Sequence, residues 1–428
     1  MKFSAQLLEL ADRAEAALAP QFARLSRISH HNTARVMEAF AAHHVDAACF
    51  NSSSGYGYDD RGRDVLDRIF ADVMGAEAAF VRHSIANGTQ ALAIGLFGLL
   101  RPSDILLSVS GKPYDTLAEV IGIEGEAGNG SLADFGVSYR QIELKDQKTL
   151  DLDAITAFLR GEEGARVKVA FIQRSKGYLN RRTLGVCEIG EAVRAIKAVR
   201  PDIFVMVDNC YGEFTEEIEP PAVGADLTVG SLIKNPGGGM AETGGYLAGT
   251  ARAVELASYR LTCPGIGLEV GATIGQNKNM YRGLFYAPHT VMEALKTAHF
   301  AAYIFEALGY TVEPTWQEAR ADIIQTVITG SKEGLCALCR GIQAGSPVDA
   351  YVTPEPWAMP GYSDEVIMAA GAFVQGASIE LSADGPIKPP YTAFLQGGLT
   401  FESGRIGILS AAAEMLRAEH KDIKKGKE

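Results

Sequence analysis

The chain has 428 residues, and its 52 acidic and 40 basic side chains give a formal charge of −12. That balance excludes a nucleic-acid-binding surface, which needs clustered Lys and Arg. Hydrophobic residues at 47% and charged residues at 21% exclude disorder as the main state.

Residues 1–50 read as helices, with Leu7, Leu8, Leu10 and Ala11, then Val36, Phe40 and Val45, at helical spacing. Charges run through the first twenty residues, and no apolar stretch is long enough to cross a membrane. The expectation is a soluble, cytoplasmic protein with no leader and no membrane partner. His30, His31, His43 and His44 read as surface histidines, because adjacent helical residues point different ways. A polar, Gly-rich stretch follows at 51–63, then an amphipathic helix over Asp64–Gly75 that glycine stops.

From there a β/α rhythm sets in. Short β-branched runs predict seven strands at 79–82, 104–110, 139–144, 167–174, 203–208, 227–231 and 245–248. Helical patterns at 90–100, 152–159 and 190–199 separate several of them. Strands apolar on both faces imply a mostly parallel sheet covered by helices. Beyond about residue 290 a helix at 289–308 leads into short strands and a Pro-rich loop at 353–362, which predicts a smaller α+β domain. The expected divisions are an arm at 1–60, a large α/β domain at 61–288 and a small domain at 289–428. Cys336 and Cys339 read as core residues one helical turn apart, since zinc would need a second pair. The basic run from Lys421 to Lys427 reads as a solvated tail.

In an open α/β sheet, ligands bind at the carboxyl ends of strands. After the first strand come Asn87, Gly88 and Thr89 and then an apolar helix, a turn suited to phosphate. Tyr114 follows the second strand, and Arg174 and Lys176 follow the fourth. Asp208 closes the fifth as a carboxylate that needs a cationic partner. Ser231 and Lys234 follow the sixth, before Pro236 and Gly237–Gly239. Three glycines there imply that backbone approaches something closely.

A lysine, an aspartate, a phosphate turn and a tyrosine on neighbouring strand ends are the parts required by pyridoxal 5′-phosphate. Lys234 would form the Schiff base and shuttle protons. Asp208 would keep the ring nitrogen protonated, and Tyr114 would stack on the ring. Gly88, Thr89 and Ser231 would hold the phosphate. No metal is required.

The stretches GYGYDDRGRDVLDRIF, SIANGTQAL, SGKPYDTL, QRSKGY, VDNCYGEF and GSLIKNPGGGMAETGGY resemble the methionine gamma-lyase-like, aluminium-resistance group, which is similar to the cystathionine lyases. The resemblance covers about residues 30–410. It implies a pyridoxal-phosphate enzyme of fold type I acting on a small amino acid, as a homodimer or dimer of dimers with shared active sites. It also implies that Tyr56 or Tyr58 reaches the neighbouring subunit's phosphate. The hydroxyl residue that precedes the lysine in the better-known lyases is Ile233 here. The arginine that grips the substrate carboxylate has two candidates, Arg405 and Arg174. The expected reaction is loss of a thiol from a sulfur-containing amino acid. Aminotransferase chemistry on the same scaffold, a coenzyme-retaining stress-response protein and a nucleotide-binding protein using the Gly88 turn are the competing readings.

Overall fold

The computed structural model describes residues 3–179, 181–359 and 364–420. The basic run at 421–427 lies outside them. The chain forms two compact units, one of Asn32–Phe285 and the other of Met1–His31 with Tyr286–Glu428. The first sixty residues are therefore divided between the two units.

Instead of several helices, the N-terminus forms one long helix, α1 (Ala5–Ala42), with Pro20 inside it. The unit spanning 32–285 then runs α2 (Arg61–Met74), β1 (Ala78–Arg82), α3 (Gly88–Leu99), β2 (Ile105–Ser108), α4 (Asp115–Ile121), β3 (Ser138–Gln141) and α5 (Leu152–Arg160). It continues with β4 (Val167–Gln173), α6 (Val186–Val199), β5 (Phe204–Asp208), β6 (Leu227–Ser231), β7 (Gly245–Gly249) and α7 (Ala251–Leu261). All seven strands lie where the apolar runs put them, and they form one sheet in the order β1-β7-β6-β5-β4-β2-β3. Only β7 runs against the rest.

Burial explains the strand pattern. Along β4, Val169 and Phe171 pack on one face with α3 and α7, while Val167, Ala170 and Ile172 pack on the other with α5 and α6. Where a strand is covered on both faces, as β4 is from Val169 to Ile172, successive residues are apolar, so that part of its sequence is a continuous run and not an alternation.

After α8 (Asn277–Ala307), the other unit contains β8 (Thr311–Glu313), β9 (Gln325–Ile328), α9 (Lys332–Ala344), β10 (Val366–Ala369), β11 (Ser382–Pro386), β12 (Thr392–Gln396) and α10 (Phe401–Ala418). Its five strands are all antiparallel, in the order β10-β11-β12-β9-β8. Leu7, Leu10, Ala14 and Leu18 of α1 share its core with Phe300, Leu335 and Leu409. Cys336 and Cys339 are buried on α9. No helix of the described residues is long and apolar enough to cross a membrane.

Candidate active site

Because β1, β2, β4, β5 and β6 run the same way, their carboxyl ends share one edge of the sheet. β5 carries Asp208 to that edge in register with Gln173 of β4 and Val229 of β6. The apolar run before it leaves the carboxylate only 7% exposed. Its Oδ1 accepts the Cys210 amide at 3.1 Å. Burial pushes its pKa up, against the pull of Lys234 and Arg181.

Lys234 stands three residues past β6, half-buried, with Nζ 4.1 Å from the centroid of the Tyr211 ring. Burial works against its charge, but Cys210, Tyr211, Asp208 and Glu213 outweigh that cost and its pKa is raised. Tyr211 has φ +73°, a conformation uncommon outside glycine. Asn235, beside the lysine, donates from Nδ2 to the carbonyls of Tyr211 at 3.0 Å and Glu213 at 2.9 Å. That side chain ties the lysine turn to the segment after β5.

The close approach expected at the glycine run is made by the chain to itself. A Cβ on Gly237 would stand 1.7 Å from the Leu232 carbonyl oxygen, and one on Gly283 would stand 2.4 Å from the Gly237 oxygen. No side chain fits in either place, so these glycines fix the path of the lysine turn.

α3 begins two residues before the helix expected at 90–100, with Asn87 as its cap; Asn87 Oδ1 accepts the Gln90 amide at 2.8 Å. First-turn amides of a helix, here those of Gly88 and Thr89, have no intrahelical acceptor and point outward. A Cβ on Gly88 would lie 3.5 Å from both Cys210 Sγ and Ser231 Cβ, so three connections meet at this turn. Ser231 Oγ is buried there and has no hydrogen-bond partner. The Thr89 and Thr116 hydroxyls are 2.8 Å apart, which links α3 to the turn bearing Tyr114. The Tyr114 amide donates to Gln173 Oε1 at 2.6 Å, and its ring packs edge-on to Tyr178.

Both arginine candidates have carboxylate partners within the chain. Arg174 is fully buried, and its guanidinium meets Glu216, Glu219 at 3.7 Å and Asn209 Oδ1 at 2.7 Å. A guanidinium committed to two carboxylates has nothing left for a substrate. Arg174→Ala is expected to lower stability by about 3–5 kcal/mol, the cost of leaving buried charge unpaired. Denaturant unfolding reads that loss; a raised KM with unchanged unfolding would return the residue to the substrate. Arg405 of α10 pairs with Glu15 at 2.5 Å and Asp12 at 3.4 Å, both on α1.

Tyr56 and Tyr58 are 72% and 64% exposed and stack on one another with centroids 5.5 Å apart. Their loop is held by backbone bonds from Gly271 to Tyr56 and from Ile274 to Ser53. Tyr211 and Glu213 also lie close to Lys234's turn through Asn235, and both belong to the VDNCYGEF stretch. The signal was an aromatic and an acid immediately after the strand-end aspartate.

The family described as methionine gamma-lyase matches residues 7–416. The uncharacterized Bacillus subtilis protein YnbB is 50% identical over 413 residues, covering 96% of this chain and 97% of that protein. Among solved structures, a carbon-sulfur lyase involved in aluminium resistance from Clostridium novyi is 49% identical. It covers 96% of each chain with a TM-score of 0.92. The pyridoxal-5′-phosphate-dependent protein YhfS from Escherichia coli, at 15% identity and a TM-score of 0.61, covers 91% of this chain and 96% of its own and shares the fold.

Proposed function

Since the chain belongs to the methionine gamma-lyase family, we propose that it is a pyridoxal 5′-phosphate-dependent carbon–sulfur lyase acting on a sulfur-containing amino acid. The observation that carries the proposal is the set of unanswered polar groups along one sheet edge. Ser231 Oγ is buried without a partner, beside a helix N-terminus and a glycine with no side chain. Lys234 and Asp208 carry opposite charges there, yet neither closes an ion pair among the described residues. A phosphate suits the first group, an aldehyde the lysine and a protonated ring nitrogen the aspartate.

The coenzyme, when bound, supplies an electron sink for a carbanion. Ser231, Gly88 and Thr89 would hold its phosphate, and Asp208 would keep a positive charge at the ring nitrogen. Lys234 Nζ takes the proton from the substrate Cα. The electron pair of the carbon–sulfur bond leaves with sulfur as a thiolate, a good leaving group. The C. novyi protein's description as a carbon-sulfur lyase supports this reaction class. Incubation of the purified protein with cystathionine, methionine and cysteine tests it, through assays of thiol, ammonia and keto acid. Keto acid with thiol and no added acceptor is expected. Product formed only when an acceptor keto acid is present makes the protein an aminotransferase.

The active site is shared between two copies of the chain. The Tyr56–Tyr58 pair, exposed and stacked on itself, supports this reading. In a closed two-fold dimer each copy then lends a phenol to its partner's phosphate. Mixing inactive Lys234→Ala and Tyr56→Ala/Tyr58→Ala proteins under subunit exchange gives heterodimers with one intact site, and roughly a quarter of wild-type activity returns. A mixture that stays dead, with heterodimers verified by mass spectrometry, overturns the shared site.

A further inference from the structure

Neighbouring strands of the large sheet end in polar residues on one face. Val169 and Phe171 of β4, Met206 of β5, and Leu227 and Val229 of β6 pack in one core with Ala91 and Leu92 of α3. The residues between them, Ala170, Ile172, Val205 and Val207, pack on the opposite face. Side chains alternate along a strand. The next position on the α3 face is therefore Gln173 in β4, Asp208 in β5 and Ser231 in β6. The reaction outlined above uses Asp208 and Ser231. Gln173, in register with Asp208 and only 4% exposed, has no role in it.

Its hydrogen bonds point to one. The Gln173 backbone amide donates to Ser110 Oγ at 2.8 Å, and its Oε1 accepts the Tyr114 amide at 2.6 Å. Ser110 and Tyr114 are the two ends of the turn that follows β2, so one residue of β4 fastens that turn at both ends. Nε2 donates to the Ser175 carbonyl at 2.9 Å, which ties in the segment after β4. That segment meets the tyrosine ring as well. A Cβ on Gly177 would stand 2.9 Å from Tyr114 Cδ2, and the Tyr178 ring packs edge-on with centroids 6.0 Å apart.

We propose that Gln173 is a positioning residue for Tyr114, a buried amide that clamps the turn after β2 to the segment after β4 and so fixes where the Tyr114 ring meets the coenzyme. The inference rests on the coenzyme reading above and on the stacking expected of Tyr114. Gln173 itself need not touch the coenzyme. Glutamine suits the place because one side-chain amide both accepts and donates, whereas a carboxylate there would lack the donor and would repel Asp208.

The test reads pyridoxal phosphate binding by the coenzyme-free protein and the visible circular dichroism of the bound coenzyme, neither of which needs turnover. Gln173→Met keeps the length of the side chain and removes both of its hydrogen bonds. Affinity falls about tenfold, the upper end for lost hydrogen bonds of this kind, and the dichroic band moves toward that of Tyr114→Ala. In the Tyr114→Ala background the same change costs about twofold at most, because the ring it would position is gone. Gln173→Asn, whose amide is one carbon short of both partners, shows smaller shifts of both signals and carries the test if the methionine variant does not fold. Borohydride reduction and peptide mapping run alongside. Label on Lys234 with a wild-type affinity or a wild-type band in the Gln173 variants overturns the role of Gln173 and leaves the coenzyme reading standing. An equal loss with and without the Tyr114 ring does the same. Label on another residue, or none, overturns both.

Discussion

Lys234→Ala is expected to fold normally and to lose the covalent capture of pyridoxal phosphate together with activity. The structural cost is small, because among the described residues Nζ closes no hydrogen bond or ion pair, and its approach to the Tyr211 ring is a contact worth about 0.5–2 kcal/mol. The chemical cost is large. In the proposed reaction the lysine is both the attachment point and the base, and a positioned base alone accounts for about 10²–10⁴-fold in rate. Removing the cation also leaves Asp208 and Glu213 without the neighbour that favours their ionised forms. The variant therefore holds the coenzyme more weakly and non-covalently. Borohydride reduction of wild-type protein should label the peptide containing Lys234, and the alanine variant should carry no label anywhere. Added methylamine restores part of the proton transfer if the base is all that is missing. Label retained at Lys112 or Lys176 would move the attachment point, and with it the whole site.

The large sheet and the site differ in how much of each is legible from sequence, and the reason is physical. Strands buried on both faces need unbroken apolar runs, and an acid closing such a run stands out; β5 ending at Asp208 is the clearest case. Lys234 is legible for the same reason, since it follows β6 directly. Partnerships across the fold are not. Arg174 reads as a strand-end cation available to substrate, because Glu216 and Glu219 belong to a later connection that only folding brings to it. The partners of Arg405, Asp12 and Glu15, likewise lie at the other end of the chain. Glu213 and Glu219 bound a short run with four glutamates, yet both of those end residues are fully buried. The long C-terminal helix α10 escaped because its middle is small and apolar, with little contrast between faces.

Asp208→Asn is expected to bind the coenzyme at Lys234 and yet to be slow. The amide is isosteric, and its oxygen can still accept the Cys210 amide, so the end of β5 keeps its geometry. What disappears is a negative charge at a 7% exposed position, where water screens little of it. A ring nitrogen facing a neutral amide gives up its proton more readily, and the electron sink is then weaker just when the Cα proton leaves. Loss of one pre-organised partner of a developing charge lowers kcat by roughly 10²–10³-fold. Because the substrate's own contacts are untouched, kcat and kcat/KM should fall together while coenzyme content stays near one per chain. Exchange of the substrate Cα hydrogen with deuterated water isolates the step, and it should slow by the same factor as turnover. A variant that exchanges and turns over at wild-type rates would make Asp208 a structural acid that secures the Cys210 turn.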